Sequence, residues 1–306
     1  MTHTPSRRAF LRCLSSVAAG TAAAALVPTR LPAIEPIERH GGPKFKFSLA
    51  AYSYRDLLTG KTPQLKLEDF IDDCAKMHLE GTELTSYYFP TNVGADYLRQ
   101  IKNQAFRLGL DISGTAVGND FCYPAGTKRD EQLAHVKRWV DYAEILGAPV
   151  IRIFSGSPQG TSPEEAHRLA VEGIEECCQY AGQHGVYLAL ENHGGLTARA
   201  EDMLRIVRDV KSPWFGVNLD TGNFHSADLY GEIAQLAPYA VNVQVKILVS
   251  GPDGKRVPGD FDRLAKILSA AGYRGYIVLE LELEEPGDPR TLCPALVDKL
   301  RQAFLA

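Results

Sequence analysis

The sequence has no surplus of basic residues. Its 306 residues include 33 Lys and Arg against 37 Asp and Glu, which gives a net charge of -4. Because a protein that binds nucleic acid needs excess positive charge to neutralise phosphates, we do not expect nucleic acid as a main partner. Beyond the N-terminal segment, no apolar run reaches the length of about 20 residues that a membrane-spanning helix needs. We therefore expect no membrane span.

Cysteine is scarce and shows no functional spacing. Five cysteines follow the N-terminal segment, an odd number without the paired spacing of a metal site. We interpret them as small buried side chains. They are Cys74, Cys122, Cys177, Cys178 and Cys293.

The N-terminal segment is predicted to be a signal rather than part of the fold. The stretch SRRAFL at residues 6–11 precedes a weakly apolar, alanine-rich run, and the two together resemble a twin-arginine (Tat) export signal. We predict a Tat-type signal peptide at 1–33, a Pro- and Gly-rich linker at 34–44, and a periplasmic or otherwise extracytoplasmic location. A disordered basic tail is the alternative to the signal.

From residue 45 onward, strand-like apolar segments alternate with amphipathic helical segments. Eight such units in roughly 265 residues predict the α/β class and a single (β/α)8 TIM barrel over residues 45–306. The alternative, a doubly wound open sheet, usually has a glycine-rich fingerprint after its first strand, where this chain has YSYR instead. The predicted strands are 46–53, 81–86, 111–117, 149–155, 186–191, 215–220, 240–247 and 276–282, and clear helical segments lie at 67–77, 131–146, 163–184, 261–270 and 289–304.

Polar residues end the last four predicted strands. Because side chains alternate across a strand, each of these strands has one aliphatic face and one face that becomes polar toward its C-terminal end. In a barrel the second face points inward, and the C-terminal ends form the mouth where active sites lie. The polar residues are Glu191 and His193, Asn218 and Asp220, Asn242, Gln244 and Lys246, and Glu280 and Glu282.

The carboxylates at these strand ends indicate a metal site. Carboxylates at one height of a barrel would repel each other, and a divalent cation would remove the repulsion. Oxygen-rich ligands suit Mg²⁺ or Mn²⁺. Taken singly, the same residues have structural interpretations: Asp220 could cap a helix, His193 could be a structural histidine, Lys246 could pair with Glu280, and Glu282 could be solvated.

Several motifs resemble a known family. They are LENH at 190–193, NLDTGN at 218–223, VK at 245–246, and GYRGY at 272–276 in front of Glu280. Over residues 46–285 the chain is similar to the xylose isomerase-like barrels, which include sugar epimerases, sugar isomerases and related dehydratases. The resemblance implies metal ligands at Glu191, Asp220, Gln244 and Glu280, with the two glutamates also acting as an acid/base pair.

The chain departs from this family at two positions. The family's metal-binding His on the seventh strand is Gln244 here, and a His that often lies three residues after the Asp is Asn223. Our main prediction is that Gln244 supplies a neutral oxygen ligand. The alternatives are that His193 supplies the missing nitrogen, or that the metal and the activity are both lost.

The resemblance implies a metal-dependent sugar isomerase or epimerase that removes a proton next to a carbonyl group. In such a reaction the metal acts as a Lewis acid, the glutamates move the proton, and Lys246 stabilises the oxyanion. The expected substrate is a small sugar or glycoside, and the predicted export favours an unphosphorylated one. The predicted substrate-binding residues are His193, Asn223, His225, Glu282 and Tyr52.

Other functions remain open at this point. A lyase or dehydratase acting on a keto-glycoside or inosose would use the same site, and a non-catalytic sugar-binding barrel is a third candidate. A DNA-repair nuclease of this fold would need several histidines for its metals, whereas only His193 and His225 lie near strand ends. The sequence leaves a homo-oligomer open.

Overall fold

The computed structural model describes residues 34–251, 253–282 and 287–306. The predicted signal peptide at 1–33 therefore lies outside the described residues. No helix in the described part of the chain combines the length and the apolar character needed to cross a membrane.

Eight parallel strands close a barrel, which confirms the predicted (β/α)8 fold. The strands of the barrel are β1 (Lys44–Ala50), β2 (Gly81–Thr85), β3 (Asp111–Ala116), β4 (Val150–Ile153), β5 (Tyr187–Glu191), β6 (Phe215–Asp220), β7 (Ala240–Lys246) and β10 (Arg274–Glu280). Around the barrel the order is β1-β10-β7-β6-β5-β4-β3-β2, and β1 pairs with both β2 and β10.

Helices cover the outside of the barrel. They are α1 (Arg55–Leu58), α2 (Leu67–Lys76), α3 (Ala95–Arg107), α4 (Thr127–Leu146), α5 (Pro163–Gln183), α6 (Ala200–Asp209), α7 (Leu229–Leu236), α8 (Phe261–Ala270) and α9 (Pro289–Leu305). Local sequence explains their ends: Ser162 accepts a hydrogen bond from the Glu165 N–H at the start of α5, with Pro163 in the first turn. In α6, Met203, Ile206 and Val207 share the buried face.

Apolar side chains fill the layer between strands and helices, whereas the barrel interior contains polar side chains as well as apolar ones. The aliphatic layer forms one large cluster, whereas Ala50, Tyr276 and Val278 form a small separate one. Deeper polar groups also point inward, as in the 2.8 Å hydrogen bond between the Ser48 and Ser113 hydroxyls. The interior is therefore polar enough to support buried charged groups.

Two local features differ from the sequence-based expectation. The first predicted strand was expected to reach residue 53, but the chain turns into a 3-10 helix at Ala51–Tyr54. The Ser53 hydroxyl accepts a hydrogen bond from the Leu281 N–H at 2.9 Å, which ties this turn to the end of β10. An unexpected antiparallel hairpin, β8 (Leu248–Ser250) and β9 (Arg256–Pro258), lies between β7 and α8.

The segment predicted as a linker packs on the barrel. The Ile37 N–H donates to the Pro238 carbonyl at 3.0 Å, and Arg39 donates to the Ala240 carbonyl at 2.5 Å. Arg274 in turn donates to the carbonyls of Gly41 and Gly42. Residues 34–43 thus lie against the N-terminal ends of β7 and β10.

Candidate active site

Four neighbouring strands deliver charged side chains to the mouth of the barrel. β5, β6, β7 and β10 are adjacent, and each ends in one of the predicted site residues. Register pairs Asp220 with Gln244 and Glu280 with Lys246. The four charged residues are buried, at 4, 0, 4 and 7% exposure for Glu191, Asp220, Lys246 and Glu280.

Side-chain hydrogen bonds to the backbone hold these strand ends in place. Asn192 accepts from the Asp220 N–H at 2.9 Å and donates to the Asp220 carbonyl at 2.8 Å, which joins the ends of β5 and β6. Thr221 accepts from the Lys246 N–H at 2.9 Å, which joins β6 and β7. Gly222 is required by packing, because a Cβ there would lie 2.5 Å from Lys246 Cγ.

Lys246 is the cation at the centre of the mouth. Its ammonium forms an ion pair with Glu280, lies 2.8 Å from Glu282 Oε1 and lies 3.5 Å from Asp220 Oδ2. Burial alone would lower the pKa of Lys246, but the attraction of these three carboxylates outweighs burial and raises it. Lys246 therefore remains charged at any physiological pH.

Glu191 is held by a different cation. Arg152, on β4, places Nε 2.8 Å from Glu191 Oε2, and Asn223 donates to Glu191 Oε1 at 2.9 Å. Burial raises the pKa of Glu191 well above its ordinary range, and repulsion from Asp220 and Glu280 adds to this effect against the attraction of Arg152. The carboxyl group of Glu191 therefore keeps its proton to higher pH than an exposed glutamate does.

The two oxygens of Asp220 have different surroundings. Oδ1 accepts from the Gly222 N–H at 2.8 Å, so the side chain caps its own turn rather than the next helix. Oδ2 is buried and has no hydrogen-bond partner, and it lies 3.5 Å from the Lys246 ammonium. Burial raises the pKa of Asp220 to about 7. The attraction of Lys246 opposes this shift, and repulsion from Glu280 adds to it.

Gln244 lies one layer below the charged groups. Its amide nitrogen donates to Glu83 Oε1 at 2.6 Å, and its amide oxygen accepts from Asn218 at 2.7 Å. The oxygen keeps a second lone pair, because a carbonyl oxygen accepts up to two hydrogen bonds. The ligand role of Gln244 stays a prediction.

The predicted substrate-binding residues are distributed around this centre. Glu282 and Asn223 contact Lys246 and Glu191 as described, and Lys246 Nζ lies 5.7 Å from the centre of the half-buried Tyr52 ring. His193 is exposed on one side and packs its ring on that of Phe154, which also lies against the Arg152 guanidinium. Desolvation of the packed ring, with repulsion from Arg152, lowers the pKa of His193.

His225 lies apart from the other predicted residues. It is exposed, and its Nδ1 lies 2.6 Å from the hydroxyl of Ser250 on β8. Its described contact is thus with the hairpin, whereas the other predicted residues contact Lys246, Glu191 or the groups beside them.

Two charged residues of the barrel interior, Glu83 and Arg152, were missed at the sequence level. Each stands alone in a short apolar strand, in GTELT and VIRI respectively. A charged residue inside a buried strand was the available signal, because such a group is buried only when it is paired or hydrogen-bonded. Burial, with repulsion from Glu280, raises the pKa of Glu83 to about 7.

The donor set fits a divalent cation in charge and ligand type. Among the described residues, no three His, Cys, Asp or Glu side chains stand together as a ready metal site. However, four buried carboxyl groups of the barrel interior face two buried cations, Arg152 and Lys246, so two negative charges remain uncompensated when all are ionised. The free Oδ2 of Asp220 is a hard oxygen donor of the kind that Mg²⁺ and Mn²⁺ prefer. Binding would require the Lys246 ammonium to shift.

Solved structures of low identity share this fold. D-psicose 3-epimerase with D-tagatose from Clostridium cellulolyticum H10 matches with a TM-score of 0.71 at 16% identity, over 85% of this chain and 99% of that one. The 3-keto-D-glucoside 4-epimerase from E. coli matches with a TM-score of 0.66 at 15% identity, over 85% and 99%. A probable 3-DHS dehydratase from Bacillus anthracis matches with a TM-score of 0.63 at 17% identity, over 85% and 99%.

The family assignment comes from the sequence match. The family model described as xylose isomerase-like TIM barrel matches residues 71–303, which is most of the chain and includes seven of the eight barrel strands, β2 to β7 and β10. This chain belongs to the xylose isomerase-like TIM barrel family.

Proposed function

We propose that this barrel moves a proton at a carbon next to a carbonyl group of an unphosphorylated sugar or glycoside, as a sugar isomerase or epimerase. The placement of Glu191 and Glu280 carries the proposal. β6 and β7 separate their strands, and a different cation holds each carboxylate: Arg152 for Glu191 and Lys246 for Glu280. Two carboxylates that approach the mouth from separate strands can take a proton from one direction and return it from another.

The remaining polar groups have roles in the same reaction. When one glutamate removes the proton, negative charge spreads onto the carbonyl oxygen, and the ammonium of Lys246 is placed to stabilise it. Asn223 holds Oε1 of Glu191 at 2.9 Å and so fixes the orientation of that carboxylate. The half-buried ring of Tyr52 offers a flat surface for a sugar ring.

A divalent cation, Mn²⁺ or Mg²⁺, is part of the proposal. The carboxylates of Glu191, Asp220 and Glu280, with the amide oxygen of Gln244, would hold it. When bound, the cation would polarise the carbonyl and an adjacent hydroxyl of the substrate as a Lewis acid. The free oxygen of Asp220 and the uncompensated negative charge of the interior support this part of the proposal.

The charge of the mouth favours a substrate without phosphate. Arg152 and Lys246 are already paired with carboxylates, so neither is available to compensate the charge of a phosphate group. A neutral polyol can instead accept from the cations and donate to the carboxylates. The sugar epimerases of the same fold are consistent with this substrate class.

Deuterium exchange tests the proposal before the product is known. The Mn²⁺-loaded protein is incubated in D2O with a panel of unphosphorylated aldoses, ketoses and oxidised glycosides, and deuterium uptake at carbon is followed by NMR and mass spectrometry. Glu191→Gln or Glu280→Gln should reduce exchange at least about 100-fold, since each removes a proton-transfer group. Glu232→Gln alters a buried glutamate that accepts from the Ala200 N–H instead of pairing with Arg152 or Lys246, and should retain exchange.

Three other results would change the assignment. Exchange that persists within tenfold in either active-site variant would contradict the role of the two glutamates. Loss of a leaving group from the β-carbon would identify a lyase or dehydratase, a class that one solved structure of this fold represents. Sugar binding without any exchange would indicate a non-catalytic barrel.

A further inference from the structure

We infer that Glu83 is a positioning residue that sets the direction in which Gln244 presents its amide oxygen. The inference rests on the proposed function, in which this oxygen is one of the groups that hold the cation. Glu83 lies on β2, across the barrel from β7, and it is 1% exposed.

Four buried side chains form a closed ring of hydrogen bonds beneath the mouth. Gln244 donates to Glu83 Oε1 at 2.6 Å and accepts from Asn218 at 2.7 Å. Asn242 donates to Asn218 Oδ1 at 2.8 Å and to Glu83 Oε2 at 2.7 Å. Every member of the ring is therefore hydrogen-bonded to two other members.

The carboxylate gives this ring its direction. Both oxygens of Glu83 act as acceptors, Oε1 for Gln244 and Oε2 for Asn242, so Gln244 turns its NH2 group toward Glu83. The amide oxygen of Gln244 then faces Asn218 on β6, the strand that ends in Asp220. A flipped Gln244 would place its oxygen against the oxygen of Glu83 and would lose both hydrogen bonds.

A neutral residue at position 83 would not impose this direction. With Gln at that position, one of the two acceptor oxygens becomes an NH2 group, so Gln244 and Asn242 cannot both donate to residue 83 and the direction of the Gln244 amide is no longer fixed. A buried carboxylate is energetically unfavourable, and the hydrogen bonds of Glu83 come from two neutral amides, Gln244 and Asn242. The orientation of Gln244 thus requires a group at position 83 that only accepts hydrogen bonds. A neutral side chain there would cost less desolvation but would not impose this orientation.

Mn²⁺ titration of the full chain by calorimetry tests the inference. Glu83→Gln should weaken Mn²⁺ binding about 10- to 100-fold, as loss of a group that orients a metal ligand typically does. Ser48→Ala removes another buried hydrogen bond of the barrel interior, that to Ser113, and should leave the affinity within about twofold. Equal affinities of wild type and Glu83→Gln would overturn the inference.

A double-mutant cycle separates positioning from general support of the fold. If Glu83 acts through Gln244, the effect of Glu83→Gln on Mn²⁺ affinity should disappear in a Gln244→Ala background. An unchanged effect in that background would overturn the positioning role. If Glu83→Gln does not fold, the wild-type Gln244 side-chain amide can be observed by ¹⁵N NMR. A downfield NH proton that persists in Mn²⁺-free and Zn²⁺-bound protein is expected, and an ordinary amide shift would refute the hydrogen bond to Glu83.

The readouts distinguish failure of this inference from failure of the proposed function. Metal affinity and the amide signal of Gln244 are measured without substrate. Deuterium exchange is measured on the wild-type protein and does not depend on the role of Glu83. A wild-type protein that exchanges deuterium without binding Mn²⁺ would overturn the role of Glu83 and leave the proton transfer standing. A protein whose Mn²⁺ affinity falls in Glu83→Gln but that exchanges no deuterium would support the role of Glu83 and contradict the proposed proton transfer.

Discussion

Replacing Asp220 with asparagine is expected to stabilise the metal-free protein at neutral and alkaline pH. Asp220 is fully buried, and its Oδ2 has no hydrogen-bond partner. Asparagine has nearly the same shape and keeps an oxygen for the Gly222 N–H, but it carries no charge. The variant therefore removes a destabilising charge without opening a cavity.

The pKa of Asp220 gives both the sign and the size of the effect. Its pKa is raised from 3.8 to about 7, so the folded protein retains a proton that the unfolded chain has already released. The stability of the wild type should therefore fall as pH rises from about 4 to about 7. At about 1.4 kcal/mol per pH unit, the ionised form is less stable by roughly 4 kcal/mol at most. This figure already includes the attraction of Lys246 for the ionised form.

Thermal unfolding in EDTA between pH 4.5 and pH 8.5 measures this effect. At pH 8 the Asp220→Asn protein should melt roughly 5–8 °C above the wild type, since about 1 kcal/mol shifts a chain of this size by roughly 2 °C. The difference should shrink toward pH 4.5, and Glu131→Gln, on the exposed surface of α4, should show no such trend. Melting temperatures that stay parallel across this pH range would refute the reasoning. Mn²⁺ at pH 8 should stabilise the wild type more than the variant.

Two further predictions concern Arg152 in the barrel interior and the arginine pair in the N-terminal segment. Arg152→Met should destabilise the protein by about 3–5 kcal/mol because it leaves the buried Glu191 without its cation, and Arg152→Met with Glu191→Gln should recover part of the loss in denaturant unfolding. A double variant no more stable than the single one would contradict a charge effect. Replacing Arg7 and Arg8 with lysine should retain the protein in the cytoplasm if 1–33 is a Tat signal, and an unchanged periplasmic fraction would contradict that prediction.

Much of the architecture follows from local sequence patterns. The alternation of strand and helix segments indicates a parallel sheet, and eight units of this size indicate a closed barrel. The same local reasoning locates the mouth, because alternating side chains on parallel strands bring Glu191, Asp220 and Glu280 to one end of the barrel. The predicted strand ends were less accurate. The turn at Ala51–Tyr54 is held by a hydrogen bond between Ser53 and the end of β10, which are distant in sequence.

What the sequence by itself determined is the set of residues at the mouth and the fold that brings them there. Only the tertiary structure decided which of them contact each other: Arg152 with Glu191, Lys246 with Glu280, and Glu83 with Gln244, which lie 161 positions apart. The physical reason is that alternation and helix periodicity depend on neighbours along the chain, whereas contacts across the interior depend on barrel closure and on the register of strands far apart in sequence. The direction of the Gln244 amide belongs to the second class, because it is set by the carboxylate of Glu83 on the opposite side of the barrel.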